Sequence, residues 1–251
     1  GVATRPIEDM QAYRDSLSRF VIRSGLVMKP IFESARKDPR RVAYAEGEDE
    51  RVLRAVQTIV DEAIAMPILI GRPEVIASRI EKMGLLICEG RDFEVVNPEQ
   101  DERYADFWRS YHEIMERGGV SPDAARTIMR TNTTVIGSMM VRKGMADAML
   151  CGVYGQYRYH LRHVMDVLGL GKGVHDVSAL SLLILPQGSM FLCDTHVTPD
   201  PSAEEIVEMT VLAANEVRNF GIEPKIALLA HSNFGTTNYP QAVKMREAAK
   251  M

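Results

Sequence analysis

RVAYAEGEDERVLRAVQTIVDEAIAMPILIGRP, residues 41–73, decides the fold. Its first five residues, 41–45, form a short β-branched and aromatic run that reads as a strand and stops at the loop Glu46-Gly47-Glu48-Asp49. From Arg51 the period changes, with Val52, Val56, Ile59, Val60 and Ala63 on one helical face. Residues 67–70, PILI, are a second strand, apolar at every position as strands buried on both faces are. That strand ends at Gly71, and the fixed φ of Pro73 suits the first turn of another helix.

The alternation continues outward. Residues 101–117, 121–129 and 134–143 carry helical patterns, the middle one opening Ser121-Pro122-Asp123, an N-cap followed by proline at the first helical position. Strands are predicted at 148–151, 177–185, 190–193 and 225–230. Between the last two lies a helix with Ser202 as N-cap, Glu205 completing a capping box and Gly221 as terminator. Its apolar face is Ile206, Met209/Thr210, Ala213, Val217 and Phe220, and a final helix runs from Pro240. Strand–helix alternation of this kind predicts right-handed crossovers and a mostly parallel sheet with helices on both faces, an α/β fold.

The first 24 residues differ. Residues 9–21 read as a polar amphipathic helix (Met10, Tyr13, Leu17, Phe20/Val21), either a surface helix or a connector from a preceding domain. The chain opens without Met and stops inside a helical pattern, and we read it as part of a longer protein.

Composition narrows the function. The 251 residues carry 30 Lys+Arg against 34 Asp+Glu, 46% hydrophobic and 25% charged. That is the mix of a soluble globular chain with enough apolar mass for a core. A net charge of −4 without a basic cluster argues against nucleic-acid binding, which needs a dense basic footprint. The longest apolar stretch, around residues 180–185, is far short of the roughly 20 residues a membrane helix needs. Cys88, Cys151 and Cys193 are widely spaced and odd in number, neither a disulfide framework nor a zinc site, which fits a reducing cytoplasm.

Single motifs are weak. Gly169-Leu-Gly-Lys-Gly173 lacks the GxxxxGK[ST] spacing of a phosphate loop and reads as a turn after a helix ending near Leu168. No GxGxxG occurs. His160 and His163, three residues apart on a helix, have no carboxylate or cysteine to complete a metal set and read as solvated positions. Glu46 and Asp49 sit where a strand ends and a helix begins. Either they stabilise the helix N-terminus through its dipole, or they line a ligand site at the carboxyl end of a parallel strand. The loop His231-Ser-Asn-Phe-Gly-Thr-Thr237 follows the strand at 225–230. There Ser232, Asn233 and Gly235 offer small polar side chains and free amides suited to a phosphate or carboxylate. An ordinary turn before the last helix is the alternative. Arg162, with few acidic neighbours in sequence, is either an anion partner, its fixed fork matching phosphate oxygens, or simply a solvated arginine.

Several long segments together resemble the phosphate acetyltransferase family. AYAEGEDERVLRAVQ (43–57) is similar to that family's PEGED-type strand–loop–helix, and GMADAMLCGV (144–153) to its ADAMVSG strand. Leu161-Arg162 matches the Leu-Arg that follows, and DTHVTPDPSAEEI (194–206) and GIEPKIALLAHSNFGT (221–236) match adjoining segments in the right order. The finer resemblance is to the phosphate-acetyltransferase-like C-terminal region of large, two-part bacterial NADP-dependent malic enzymes. GVATRPIEDMQAYRDSL with FVIRSGLVMKPIF resembles the junction in those proteins. The HSNFGT loop stands where stand-alone transferases carry a YSTKGS-like one, and VYGQYRYHLRHV (153–164) replaces their HSSSDTLRP-like turn.

The resemblance implies a two-lobed fold like that of phosphate acetyltransferase and isocitrate dehydrogenase, incomplete at the C-terminus. Residues 1–24 would be the connector, 25–150 the first lobe and 151–251 part of the second. It implies a parent that oxidatively decarboxylates malate to pyruvate and CO2 with NADP and a divalent metal (Mg or Mn). Both of those groups belong to a malic enzyme catalytic domain elsewhere in the chain, with no cofactor in these residues. This part would serve as a regulatory and oligomerisation domain that senses acetyl-CoA or a related CoA ester, in a cytoplasmic homo-oligomer. In active transferases an arginine near the position of Met115 helps bind phosphate. A methionine cannot neutralise that charge, so the resemblance implies no acetyl transfer and no catalytic residue here. The alternative is a working phosphate acetyltransferase interconverting acetyl-CoA and acetyl phosphate, with Arg117 as the anion arginine.

Overall fold

The computed structural model describes residues 9–11, 13, 28–185, 188–233 and 236–251. The expected connector helix at 9–21 and the expected ligand residue Gly235 therefore fall largely or wholly outside the described residues. Two compact units make up the chain, one of Ser34–Gly169 and the other of Gly1–Glu33 with Leu170–Met251.

A helix α1 (residues 28–37) crosses the boundary at Ser34, and the first unit continues with β1 (Arg40–Tyr44), α2 (Glu50–Asp61), β2 (Ala65–Ile70) and α3 (Pro73–Met83). Then come β3 (Glu94–Val96), α4 (Tyr104–Met115), a 3-10 turn at Glu116–Gly118, α5 (Pro122–Thr131), α6 (Thr133–Arg142), β4 (Ala148–Leu150) and α7 (Tyr157–Leu168). The strands form one parallel sheet in the order β3-β2-β1-β4. α7 packs on the core of this unit through Val167.

Strand alternation sorts the core into two layers. Ala43, Ile68, Ile70 and Val96 pack with Phe107, Tyr111, Met129, Val135 and Met139 of α4–α6. Tyr44 and Leu69 face the other way, onto Val52, Leu53, Val56 and Ile76 of α2 and α3. Helices thus cover both faces, as the unbroken apolar PILI required. Local signals hold at the helix ends: Ser121 Oγ accepts from Ala124 N, and α3 begins at Pro73 and ends on Gly84 at φ +65.

One fork ties the central strand β1 to the edge strand β4 at their starts. Arg41 donates through Nε and Nη2 to both carboxylate oxygens of Asp147, at 3.2 and 2.9 Å, and its backbone N–H adds a third bond. The Arg41 guanidinium lowers the Asp147 carboxyl from 3.8 to about 2. A depressed carboxyl contributes stability above its unfolded value and loses it as pH falls through the folded one. The stability gap between wild type and Asp147→Asn is therefore expected to be constant above about pH 5 and to close towards pH 2. Urea unfolding across that range checks it, and a gap independent of pH would count against the bond.

The second unit holds β5 (Leu180–Leu185), β6 (Gly188–Cys193), α8 (Ala203–Asn219) and α9 (Pro240–Ala248). Ser202 and Glu205 form the expected capping box, and α8 buries Ala203, Ile206, Met209, Ala214 and Val217. Two expectations fail here. β5 and β6 pair antiparallel, since a two-residue connection suits a hairpin whereas a parallel pair needs a dozen residues or more to cross over. The predicted strand at 225–230 is not a strand: no ladder partner reaches it among the described residues, and Ile226 and Leu229 are exposed. The turn after Leu168 is as expected, with Gly169 and Gly173 both at positive φ. The three cysteines are free, and no helix among the described residues is long and apolar enough to cross a membrane.

Candidate functional site

At the carboxyl edge of the parallel sheet the loops after β1, β2, β3 and β4 enclose a cleft of about 440 Å³. Each loop begins where a strand of the parallel sheet ends, so the strands' hydrogen-bonding register sets the spacing between them. The cleft is lined by Glu46, Glu48 and Asp49 after β1, Gly71 and Arg72 after β2, Pro98 and Glu99 after β3, and Tyr154 after β4. Arg79 of α3, Arg130 at the end of α5 and Thr133 at the start of α6 close it.

Most of the acidic groups are already engaged. Glu48 takes both arms of Arg72, at 2.9 and 2.8 Å, and accepts the Arg72 backbone N–H at 2.9 Å. The Arg72 bond holds its carboxyl below the usual range against burial, which pushes it up. Asp49 caps α2 by accepting from Arg51 N at 2.8 Å and is gripped by both arms of the Arg51 side chain. That grip lowers its pKa. Glu46 is buried and accepts the N–H of Gly152 at 2.9 Å, joining the loops after β1 and β4.

The basic groups are less committed. Arg79 Nη1 donates to the backbone carbonyl of Glu48. Arg130 has no carboxylate partner among the described residues, and its guanidinium lies 4.7 Å from the ring centroid of Tyr104. Two guanidinium groups with unspent charge, on a sheet edge with a helix start at Thr133, make a pocket suited to a phosphate or carboxylate group.

The structure thus brings Glu46 and Asp49 together and adds residues that single-motif reasoning missed: Arg72, Arg79, Arg130, Thr133 and Tyr154. The one signal that pointed to them was position, since strand-ending loops are where such folds bind ligands. Arg162 does not line the cleft. It sits on the exposed side of α7, 3.9 Å from Asp166 one turn on, so an acidic neighbour is present after all. His160 and His163, expected to be solvated, are not: His160 is buried, and Nδ1 of His163 is buried with no hydrogen-bond partner among the described residues. Met115 packs beside the apolar core and Arg117 lies exposed on the 3-10 turn; neither lines the cleft. In the second unit Ser232 Oγ accepts from Thr237 N at 3.1 Å and the Asn233 carbonyl accepts from Thr236 N at 3.2 Å, so both shape a turn.

A family model described as phosphate acetyl/butaryl transferase matches residues 26–251. The chain belongs to this transferase family. Over its whole length it is 56% identical to a NAD-dependent malic enzyme of Rhizobium meliloti (strain 1021) and 51% identical to a NADP-dependent malic enzyme of Escherichia coli (strain K12). It spans 33% of each of those proteins, about a third of their length. To a phosphate acetyltransferase of Nitratidesulfovibrio vulgaris it is 30% identical over 88% of the chain and 31% of that protein. A phosphotransacetylase structure from Streptococcus pyogenes superposes with a TM-score of 0.78 at 26% identity, covering 89% of this chain and 68% of that one. The EutD phosphotransacetylase from Staphylococcus aureus shares the fold at a TM-score of 0.77 and 23% identity, over 92% of this chain and 67% of that one. The α/β transferase fold expected from the sequence is thereby shown.

Proposed function

We propose that this chain is the transferase-like part of a malic enzyme and that it binds acetyl-CoA or a related CoA ester. In this reading it couples that occupancy to malate turnover elsewhere in the same protein and helps hold a cytoplasmic homo-oligomer together, without transferring acetyl groups itself. The observation that carries the reading is the identity to malic enzymes along the whole chain, 56% and 51%, against 30% to the phosphate acetyltransferase. The parent would convert malate to pyruvate and CO2 with NADP and a divalent metal. In this reading both groups belong to the rest of the parent. The cleft-lining Glu46 and Asp49 belong to the proposed site. Ser232, Asn233 and Gly235 are retained as a separate ligand loop, and Arg162 as a surface anion contact.

Coupling of this kind needs a ligand that binds two states differently, by commonly about 1–3 kcal/mol. In the complete protein, malate-dependent NADPH formation is expected to change severalfold with acetyl-CoA, and acetyl phosphate with coenzyme A is expected to yield no acetyl-CoA. Malate activity indifferent to acetyl-CoA would leave only the assembly role.

One observation favours the second reading, an active phosphate acetyltransferase. Arg79 and Arg130 supply in the cleft the cationic groups that Met115 does not. Acetyl-CoA formation that is lost in Arg130→Ala and kept in Arg117→Ala would establish it.

A further inference from the structure

The cleft wall contributed by Tyr154 belongs to a short loop between β4 and α7, and this loop is held from below by a buried histidine. His160 is 9% exposed. Its Nε2 lies 2.9 Å from the carbonyl oxygen of Tyr154, and its Nδ1 lies 2.8 Å from the Thr134 hydroxyl on α6. A backbone carbonyl only accepts, so Nε2 carries a proton and donates it. The Thr134 hydroxyl, 2% exposed and free to rotate, completes the bond at Nδ1. The Cys151 thiol, raised chiefly by burial and further by Glu46, is also in hydrogen-bonding contact with Thr134.

The loop is built to accept this ring. Gly155 has φ +92, and a Cβ there would stand 2.9 Å from His160 Nε2; Gly152 has φ +94 and 3.8 Å to His160 Cδ2. The same loop is pinned at its other end by Glu46, whose Oε1 takes the Gly152 N–H. Glu46 and Thr133, the residue before Thr134, both line the cleft, as Tyr154 does. The histidine therefore bridges α6 and the loop immediately beneath the cleft while touching no point of its lining with a free polar atom.

We infer that His160 is a positioning residue: a two-ended latch that joins Thr134 to the Tyr154 carbonyl and fixes the 152–155 loop as a wall of the ligand cleft. The consequence for affinity rests on the ligand-binding reading above; the latch itself does not.

The test follows amide hydrogen exchange of the peptide covering residues 152–156 in the complete protein, together with acetyl-CoA affinity by calorimetry. Losing both histidine bonds in His160→Leu is expected to speed exchange there roughly tenfold and to weaken acetyl-CoA by a similar factor. His160→Gln, which keeps a donor and an acceptor on one side chain, is expected to restore both towards wild type. Thr134→Val against Thr134→Ser gives the same comparison at the other end of the latch and serves if His160→Leu does not fold. Exchange unchanged in both His160→Leu and Thr134→Val would overturn the inference. So would a His160→Gln protein as fast as His160→Leu, since filling space would then be the ring's whole role. Faster exchange in a protein whose wild type takes up no acetyl-CoA would keep the latch and remove the ligand reading instead.

Discussion

Gly47→Ala is expected to cost about 3 kcal/mol of stability, at the upper end of what an overpacked methyl costs in a core. Gly47 lies on the carboxyl end of β2, where its N–H donates to the Ile70 carbonyl at 3.2 Å. A Cβ at this position would meet the backbone N and O of Ile70 at 2.8 and 2.9 Å and the Leu69 Cβ at 2.9 Å. Those atoms belong to a strand paired on both sides, β1 on one and β3 on the other, so they cannot give way as a side chain does. Gly137 makes the contrast: a Cβ there would meet the flexible Met149 side chain, which can swing aside. At Gly84 nothing lies within 4 Å, and alanine would meet only the strain of φ +65, worth roughly 1–2 kcal/mol. Urea midpoints at unchanged slope rank the three variants. A Gly47→Ala protein no less stable than Gly84→Ala would refute the close-approach argument. The same displacement would carry Glu46 and Asp49 out of place, so ligand affinity is expected to fall with stability.

Arg130→Ala is expected to weaken a phosphate-bearing ligand by roughly 10- to 100-fold, the worth of one hydrogen bond to a charged group. The guanidinium is already oriented, stacked over Tyr104, whose hydroxyl donates to the Arg126 carbonyl at 2.9 Å. Little further ordering is therefore needed when an anion arrives. Arg130→Lys keeps the charge and loses the planar fork, and is expected to fall between wild type and alanine. Trp108 is the sole tryptophan, and Arg126 lies 4.2 Å above its ring on the same helix as Arg130. Its fluorescence, followed while inorganic phosphate and then coenzyme A are titrated, gives the affinities. An alanine variant that binds both as tightly as wild type would remove Arg130 from the site. Loss of phosphate affinity in Arg162→Ala instead would move the site to α7.

The parts of this protein that the sequence alone determined are those whose cause lies within a few residues. The strands of residues 41–73, the helix faces, the Ser121 and Ser202 caps and the glycine turn after Leu168 all follow from side-chain period, capping groups and backbone freedom acting locally. The long serial resemblance placed the chain in its family for a related reason: many short local requirements recur in a fixed order. What the tertiary structure alone decided depends on distant partners. The strand order β3-β2-β1-β4 places Glu94–Val96, too short to announce itself, on the sheet edge. Whether 225–230 becomes a strand depended on a ladder neighbour that no local pattern supplies. The cleft joins residues from Glu46 to Tyr154 through four loop ends, so Arg79 and Arg130 could not be singled out among the chain's arginines from spacing. His160 read as a solvated surface position for the same reason. A helical histidine becomes a latch only when the fold brings a hydroxyl to one ring nitrogen and a carbonyl to the other.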